Sequence, residues 1–137
     1  MSDSAIDRII SGGRGCKNHH DLDAWRASID LATSMYRLTE SFPNDERYAL
    51  TGQIRRAAVS VAASRAEGAS RPSSREFLRF ACVARSSLVE LETLLIIAQR
   101  SGLTSVQDTT RLAPEVNLTF ALLSGLIRWL RSEEERV

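Results

Sequence analysis

Residues 77–98 read FLRFACVARSSLVELETLLIIA, and their spacing decides the fold. Phe77, Ala81, Ala84, Leu88, Leu91, Leu95 and Ala98 recur at alternating steps of four and three. Only a helix brings such a heptad stripe to one face, and seven unbroken members fix both its type and its phase. Just upstream, Ser73-Ser74-Arg75-Glu76 is a capping box: the serine hydroxyl satisfies a free backbone N–H and Glu76 reaches back. Gly102 supplies the stop.

Working outward, three more amphipathic segments have comparable length. Leu22, Trp25, Ile29, Ala32 and Tyr36 form a stripe that ends near Phe42-Pro43, because proline disfavours helical geometry in the residue before it. Asn44 is placed to cap a second helix, with Asp45 and Glu46 at its positive dipole end. Leu50, Ile54, Ala57, Val61 and Ser64 make the inward stripe of that helix, and Gly68 its terminator. Thr104-Ser105-Val106-Gln107 reads as a further capping box. It opens a last helix with Val106, Thr109, Ala113, Val116, Phe120, Leu123, Ile127 and Leu130 in one phase; Pro114 kinks it or marks a short first piece. The expected fold is all-α: an antiparallel up-down-up-down four-helix bundle over residues 21–132. Residues 1–20 read as a disordered tail and 133–137 as a frayed C-terminus.

Composition agrees with one ordinary globular domain, at 43% hydrophobic and 26% charged residues in a chain of 137. Apolar runs such as residues 94–98 fall far short of the ~20 residues a membrane span needs. The start, MSDSAIDRIISGG, lacks the features of a signal peptide, so a cytoplasmic protein is expected. Cys16, His19, His20 and Asp21 are metal-ligating types, but they sit on a glycine-rich segment with nothing to hold their geometry. Both histidines precede the bundle, so no Glu-x-x-His pair and no nucleophile with a histidine partner lies within it. Glu67 reads as a local partner for Arg65 or Arg71. The sequence therefore indicates no enzyme, no metal and no cofactor.

Charge is the more informative property. The net +1 conceals a basic block from Arg47 to Arg85, where eight arginines face two glutamates, a balance of +6. Arg55, Arg56, Arg65, Arg71, Arg75 and Arg79 are the candidates for binding phosphates of RNA or DNA. In an antiparallel hairpin, Arg65, Arg71, Arg75 and Arg79 would gather at one end of the bundle, with Arg55 and Arg56 farther along. The competing reading is a protein-interaction scaffold whose arginines serve subunit contacts.

The heptad helix also carries a second apolar stripe, Leu78, Cys82, Val89 and Ile96, in line with Arg85 and Glu92. A lone bundle would leave that face partly in water, so it is a candidate oligomer interface. Thr51, Ala58 and Ala62 of the preceding helix flank it with small side chains.

Several segments together carry a resemblance: Leu22-Asp23-Ala24-Trp25, Ser41-Phe42-Pro43, Glu46-Arg47-Tyr48-Ala49-Leu50, the stretch from Gln53 to Val61, Ala66-Glu67-Gly68, and Ser87 to Thr93. In this order they resemble the bacterial four-helix-bundle proteins encoded in intervening sequences of large-subunit ribosomal RNA genes. The resemblance spans roughly residues 21–103. It implies a ring-shaped homopentamer, and kinship with the basic accessory proteins of diversity-generating retroelements, which are thought to bind nucleic acid and a reverse transcriptase. The chain departs from the family pattern Ser-Ile-Pro-Ala-Asn-Ile-Ala-Glu-Gly. Here residues 60–68 read SVAASRAEG, with Ser64 in place of asparagine and Arg65 in place of isoleucine.

Overall fold

The computed structural model describes residues 5–11, 16 and 18–136. A short helix, α1 (Ala5–Ser11), precedes four long ones: α2 (His19–Thr39), α3 (Leu50–Ala69), α4 (Ser74–Arg100) and α5 (Val106–Glu135). Among the described residues there is no strand. Each long helix packs against its sequence neighbours, and α2 closes the circuit against α5, which leaves α2 and α4 diagonal. Short links between successive helices make the bundle antiparallel.

The heptad stripe of α4 is buried at every expected position, and Leu94 joins it. Ser73 caps the helix as expected: its Oγ accepts from Glu76 N (3.2 Å) and donates to the Glu76 carboxylate (3.1 Å). Gly102, at φ +79°, turns the chain out, while Gly102 N and Leu103 N donate to the last carbonyls of α4.

Elsewhere the phase or the ends differ. In α2 the core positions are Ala24, Leu31 and Met35, with polar Asp21, Ser28 and Thr39 buried in the same stripe. Trp25, Ile29 and Ala32 lie half-buried beside it and Tyr36 is exposed, so the stripe expected to face inward forms the shoulder of the helix. The hydroxyls explain how this is tolerated. Ser28 Oγ donates to Ala24 O (2.7 Å) and Thr39 Oγ1 to Met35 O (2.8 Å), so neither brings an unpaired group into the core. In α5, Leu112, Val116, Thr119, Leu123, Leu126 and Leu130 make the seam; Val106 and Ala113 are exposed. That helix runs unbroken through Pro114.

The ends are corrected as follows. Asn44 opens a single 3-10 turn, Asn44–Glu46, and not a helix; α3 begins at Leu50, whose N–H is met by Glu46 Oε2 at 3.4 Å. The cap of α5 is Ser105, not Thr104, with its side chain accepting from Asp108 N at 3.0 Å. The last helix continues to Glu135 beyond the expected frayed end at residue 133. In the segment expected to be a disordered tail, Ala5–Ser11 is helical, and Asn18 caps α2 by accepting from Asp21 N at 2.9 Å.

Gly68 does not terminate α3. It is buried inside the helix, where a Cβ would stand 2.6 Å from Phe80 Cβ and 2.8 Å from Phe77 Cδ1. The glycine lets α3 and α4 approach at the hairpin end. Gly68→Ala should therefore destabilise the fold by about 1–3 kcal/mol, the usual cost of overpacking, measured by urea unfolding. An unchanged midpoint would show that the two helices can separate freely there.

Candidate surfaces and the fate of the arginines

The six arginines expected to grip phosphate do different things, and the helical phase decides which. Arg65 points into the bundle and is 1% exposed. Its Nε donates to Asp21 Oδ1 at 2.6 Å, its Nη2 to Cys16 Sγ at 3.1 Å, and its guanidinium lies over Trp25, 5.3 Å from the ring centroid. Asp21 is itself fully buried, in the first turn of α2, where the helix dipole favours its charge. The expectation that Arg65 meets solvent phosphate is thus overturned: a charge at an inward position must find its counter-charge inside. Asp21, expected at the edge of the tail, supplies that counter-charge.

Arg55 is half-buried and occupied as well. It donates to Thr39 Oγ1 (2.8 Å) and Tyr36 O (3.4 Å), and stacks on the Tyr36 ring at 4.5 Å. Arg71 pairs with Glu67 (2.8 Å) and covers Phe80 at 4.8 Å, so Glu67 takes Arg71 and not Arg65 as its local partner. Arg56, Arg75 and Arg79 remain exposed; Arg75 is 87% exposed, with Glu134 at 3.9 Å. The basic cluster at the hairpin end is accordingly reduced to Arg75 and Arg79, bordered by Arg71 and interleaved with Glu67, Glu76 and Glu134.

The expected interface residues divide too. Thr51 (6% exposed) and Ala58 (1%) belong to the core, because α3 must bury a broad stripe against α4 and α2 together. They offer no surface to a neighbour. Ala62 is half-buried on the other shoulder, facing α2. On α4, Val89 and Ile96 are about half exposed, and Arg85 and Glu92 are exposed. Leu78 and Cys82 are partly buried against the core. Val83 and Ile97, also half exposed, lie about a third of a turn away, on the other flank of the helix.

A second apolar surface escaped notice altogether. Between α2 and α3 runs an open groove lined by Trp25, Ile29, Tyr36, Val59, Ala62 and Ala66. Its signal lay in the sequence as the shoulder stripe of α2, mistaken for core. Arg65 holds the Trp25 end and Arg55 the Tyr36 end.

No group of three or more His, Cys, Asp or Glu among the described residues is placed to hold a metal ion; the side chains of His19 and His20 lie outside them. No helix among them is long and apolar enough to cross a membrane.

The model of 23S rRNA-intervening sequence proteins matches residues 20–125, most of the chain. The chain belongs to that family. Among solved structures, a protein with unknown function from the S23 ribosomal protein family of Bacteroides thetaiotaomicron aligns with a TM-score of 0.70 at 19% identity. The alignment covers 76% of this chain and 97% of that one, a likeness of fold. No curated protein matches.

Burial pushes the Cys16 thiol up, opposed by Arg65 and aided by Asp21. In a Cys82→Ser background, iodoacetamide should modify Cys16 with a pH midpoint above the ~8.5 of a free cysteine. A midpoint below that value would mean that Arg65 dominates the site and the thiol is largely ionised.

Proposed function

We propose that the protein is a non-enzymatic, self-associating bundle. Its copies meet through the outward face of α4, in a ring-shaped homopentamer of the kind the family resemblance implies. The observation that carries this reading is the stripe of half-exposed Val89 and Ile96, in line with the partly buried Leu78 and Cys82, along one helix. Their steps of four and seven residues keep them on one helical face, and apolar patches mark interaction sites. Arg85 and Glu92 on the same face would pair with opposite charges of the neighbouring copy and fix its register. A cytoplasmic setting suits such a module.

Light scattering coupled to size exclusion tests the assembly. The wild-type chain should elute as an oligomer at micromolar concentration, and Val89→Glu with Ile96→Glu should shift it to monomer with unchanged helicity. A wild-type monomer would remove the reading.

Contact with RNA or DNA is the second reading, favoured by the exposure of Arg75 and Arg79 at the hairpin end. Such contacts would touch phosphates and not base edges, and would weaken steeply with salt. Repetition around a ring would raise a modest affinity by avidity. Arg75→Ala with Arg79→Ala should abolish salt-sensitive retention on heparin, whereas Arg56→Ala should reduce it only slightly. A wild type without salt-sensitive retention would leave the scaffold reading, in which the arginines serve protein contacts alone.

A further inference from the structure

Thr51 carries a polar atom into the bundle and gives it nothing to bond. The residue is 6% exposed, and its Oγ1 has no hydrogen-bond partner among the described residues. Ser28, Thr39 and Thr119, buried alike, each donate to a carbonyl of their own helix. An orphaned hydroxyl at such a depth calls for a group bound beside it. Thr51 lines a cleft of about 280 Å³ between the end of α2 and the start of α3. Asn44, Arg47 and Arg55 line it too, with Thr39 and the exposed Glu40. Thr39 and Tyr36 hold the Arg55 Nε and Nη2, and Nη1 has no partner among the described residues. Arg47 makes no ion pair or side-chain hydrogen bond among them; its guanidinium lies only near the Tyr48 ring, at 5.6 Å.

We propose that this cleft is a binding site for a phosphate monoester, held by the Thr51 hydroxyl and the guanidiniums of Arg47 and Arg55. The site is separate from the α4 face and from Arg75 and Arg79, which lie at the other end of the bundle, about 25 Å away along α3 at 1.5 Å per residue. Thr51 and Arg55 stand four apart and so share one face of α3. Arg47 faces them from the link before the helix. The donors on hand are the Arg47 fork, Arg55 Nη1, the Thr51 hydroxyl and the Asn44 amide. Two carboxylate oxygens cannot use them all, whereas the three terminal oxygens of a phosphate can. The start of α3 adds to the attraction. Ala49 provides no side-chain cap, the first turn holds no acidic residue, and Glu46 meets Leu50 N only at 3.4 Å. The positive end of the helix dipole is thus weakly answered, beside the cleft. The volume lies just below the ~300–1,000 Å³ of ordinary small-molecule sites, so the occupant is small. Glu40, the one carboxylate on the wall, is an acceptor suited to a hydroxyl of the group that carries the phosphate.

Calorimetric titration of the full-length chain with inorganic phosphate at low salt tests the site. Saturable binding is expected, weakened about tenfold or more by Thr51→Val and by Arg47→Gln, since each removes a hydrogen bond to a charged group. Arg75→Ala with Arg79→Ala should bind phosphate as the wild type does. Without phosphate, Thr51→Val should unfold at an equal or higher urea concentration, because it deletes an unsatisfied buried hydroxyl. A parallel titration with ribose 5-phosphate separates the sources: tighter binding than inorganic phosphate assigns the site to a phosphorylated polyol, and equal binding to the free ion. No saturable binding would overturn the proposal. So would wild-type affinity in either Thr51→Val or Arg47→Gln, or an equal loss in the Arg75 and Arg79 variant. A lower urea midpoint for Thr51→Val would overturn it as well, by showing that the hydroxyl serves the fold and not a ligand.

Discussion

A buried charge that must be answered holds the end of this bundle together. Arg65 sits at an inward position of α3, with its guanidinium enclosed by Asp21, Cys16 and Trp25. Removing an arginine from water carries a penalty of several kcal/mol, and only an equally buried, well-aligned carboxylate offsets it. The pair therefore ties the start of α2 to the last third of α3. It also sets where the N-terminal segment joins the bundle, through the Cys16 sulfur. Asn18 and the dipole of α2 hold Asp21 in place for that task.

The same requirement sorts the other arginines. A guanidinium finds the best use of its flat face and five donors where an aromatic ring and a hydrogen-bond acceptor lie close together. Arg55 has Tyr36 and Thr39, and Arg71 has Phe80 and Glu67. Those side chains stiffen the flanks of the bundle and hold the aromatic wall of the α2/α3 groove. What is left for an outside polyanion is a small, mixed-charge patch. The assembly proposed above rests on the apolar face of α4 and not on that patch.

How much of this could be read from the sequence depended on how polar the core was allowed to be. The stripe of α4 is wholly apolar, so its phase, its cap at Ser73 and its stop at Gly102 were legible. In α2 the true core stripe contains Asp21, Ser28 and Thr39, and a neighbouring stripe of Trp25, Ile29 and Tyr36 looks more hydrophobic. Periodicity alone chose the wrong one by one position. The hydroxyls are satisfied by their own helix and the carboxylate by a residue 44 positions away, which a local pattern cannot reveal. Gly68 was misread for a related reason. Its small size serves a neighbouring helix, and the glycine before a turn looked like a terminator. Arg65 was read as part of the basic cluster because its counter-charge, Asp21, is distant in sequence.

The claim on which the account turns is that Arg65 is structural, and a double-mutant cycle measures it directly. Urea unfolding of Arg65→Met, Asp21→Leu and the double variant gives the coupling. Each single change should cost about 3–5 kcal/mol by breaking a buried ion pair, while the double variant should cost markedly less than either. Single changes that cost under about 1 kcal/mol each and simply add would contradict the account, and would return Arg65 to the set of surface arginines available to a partner.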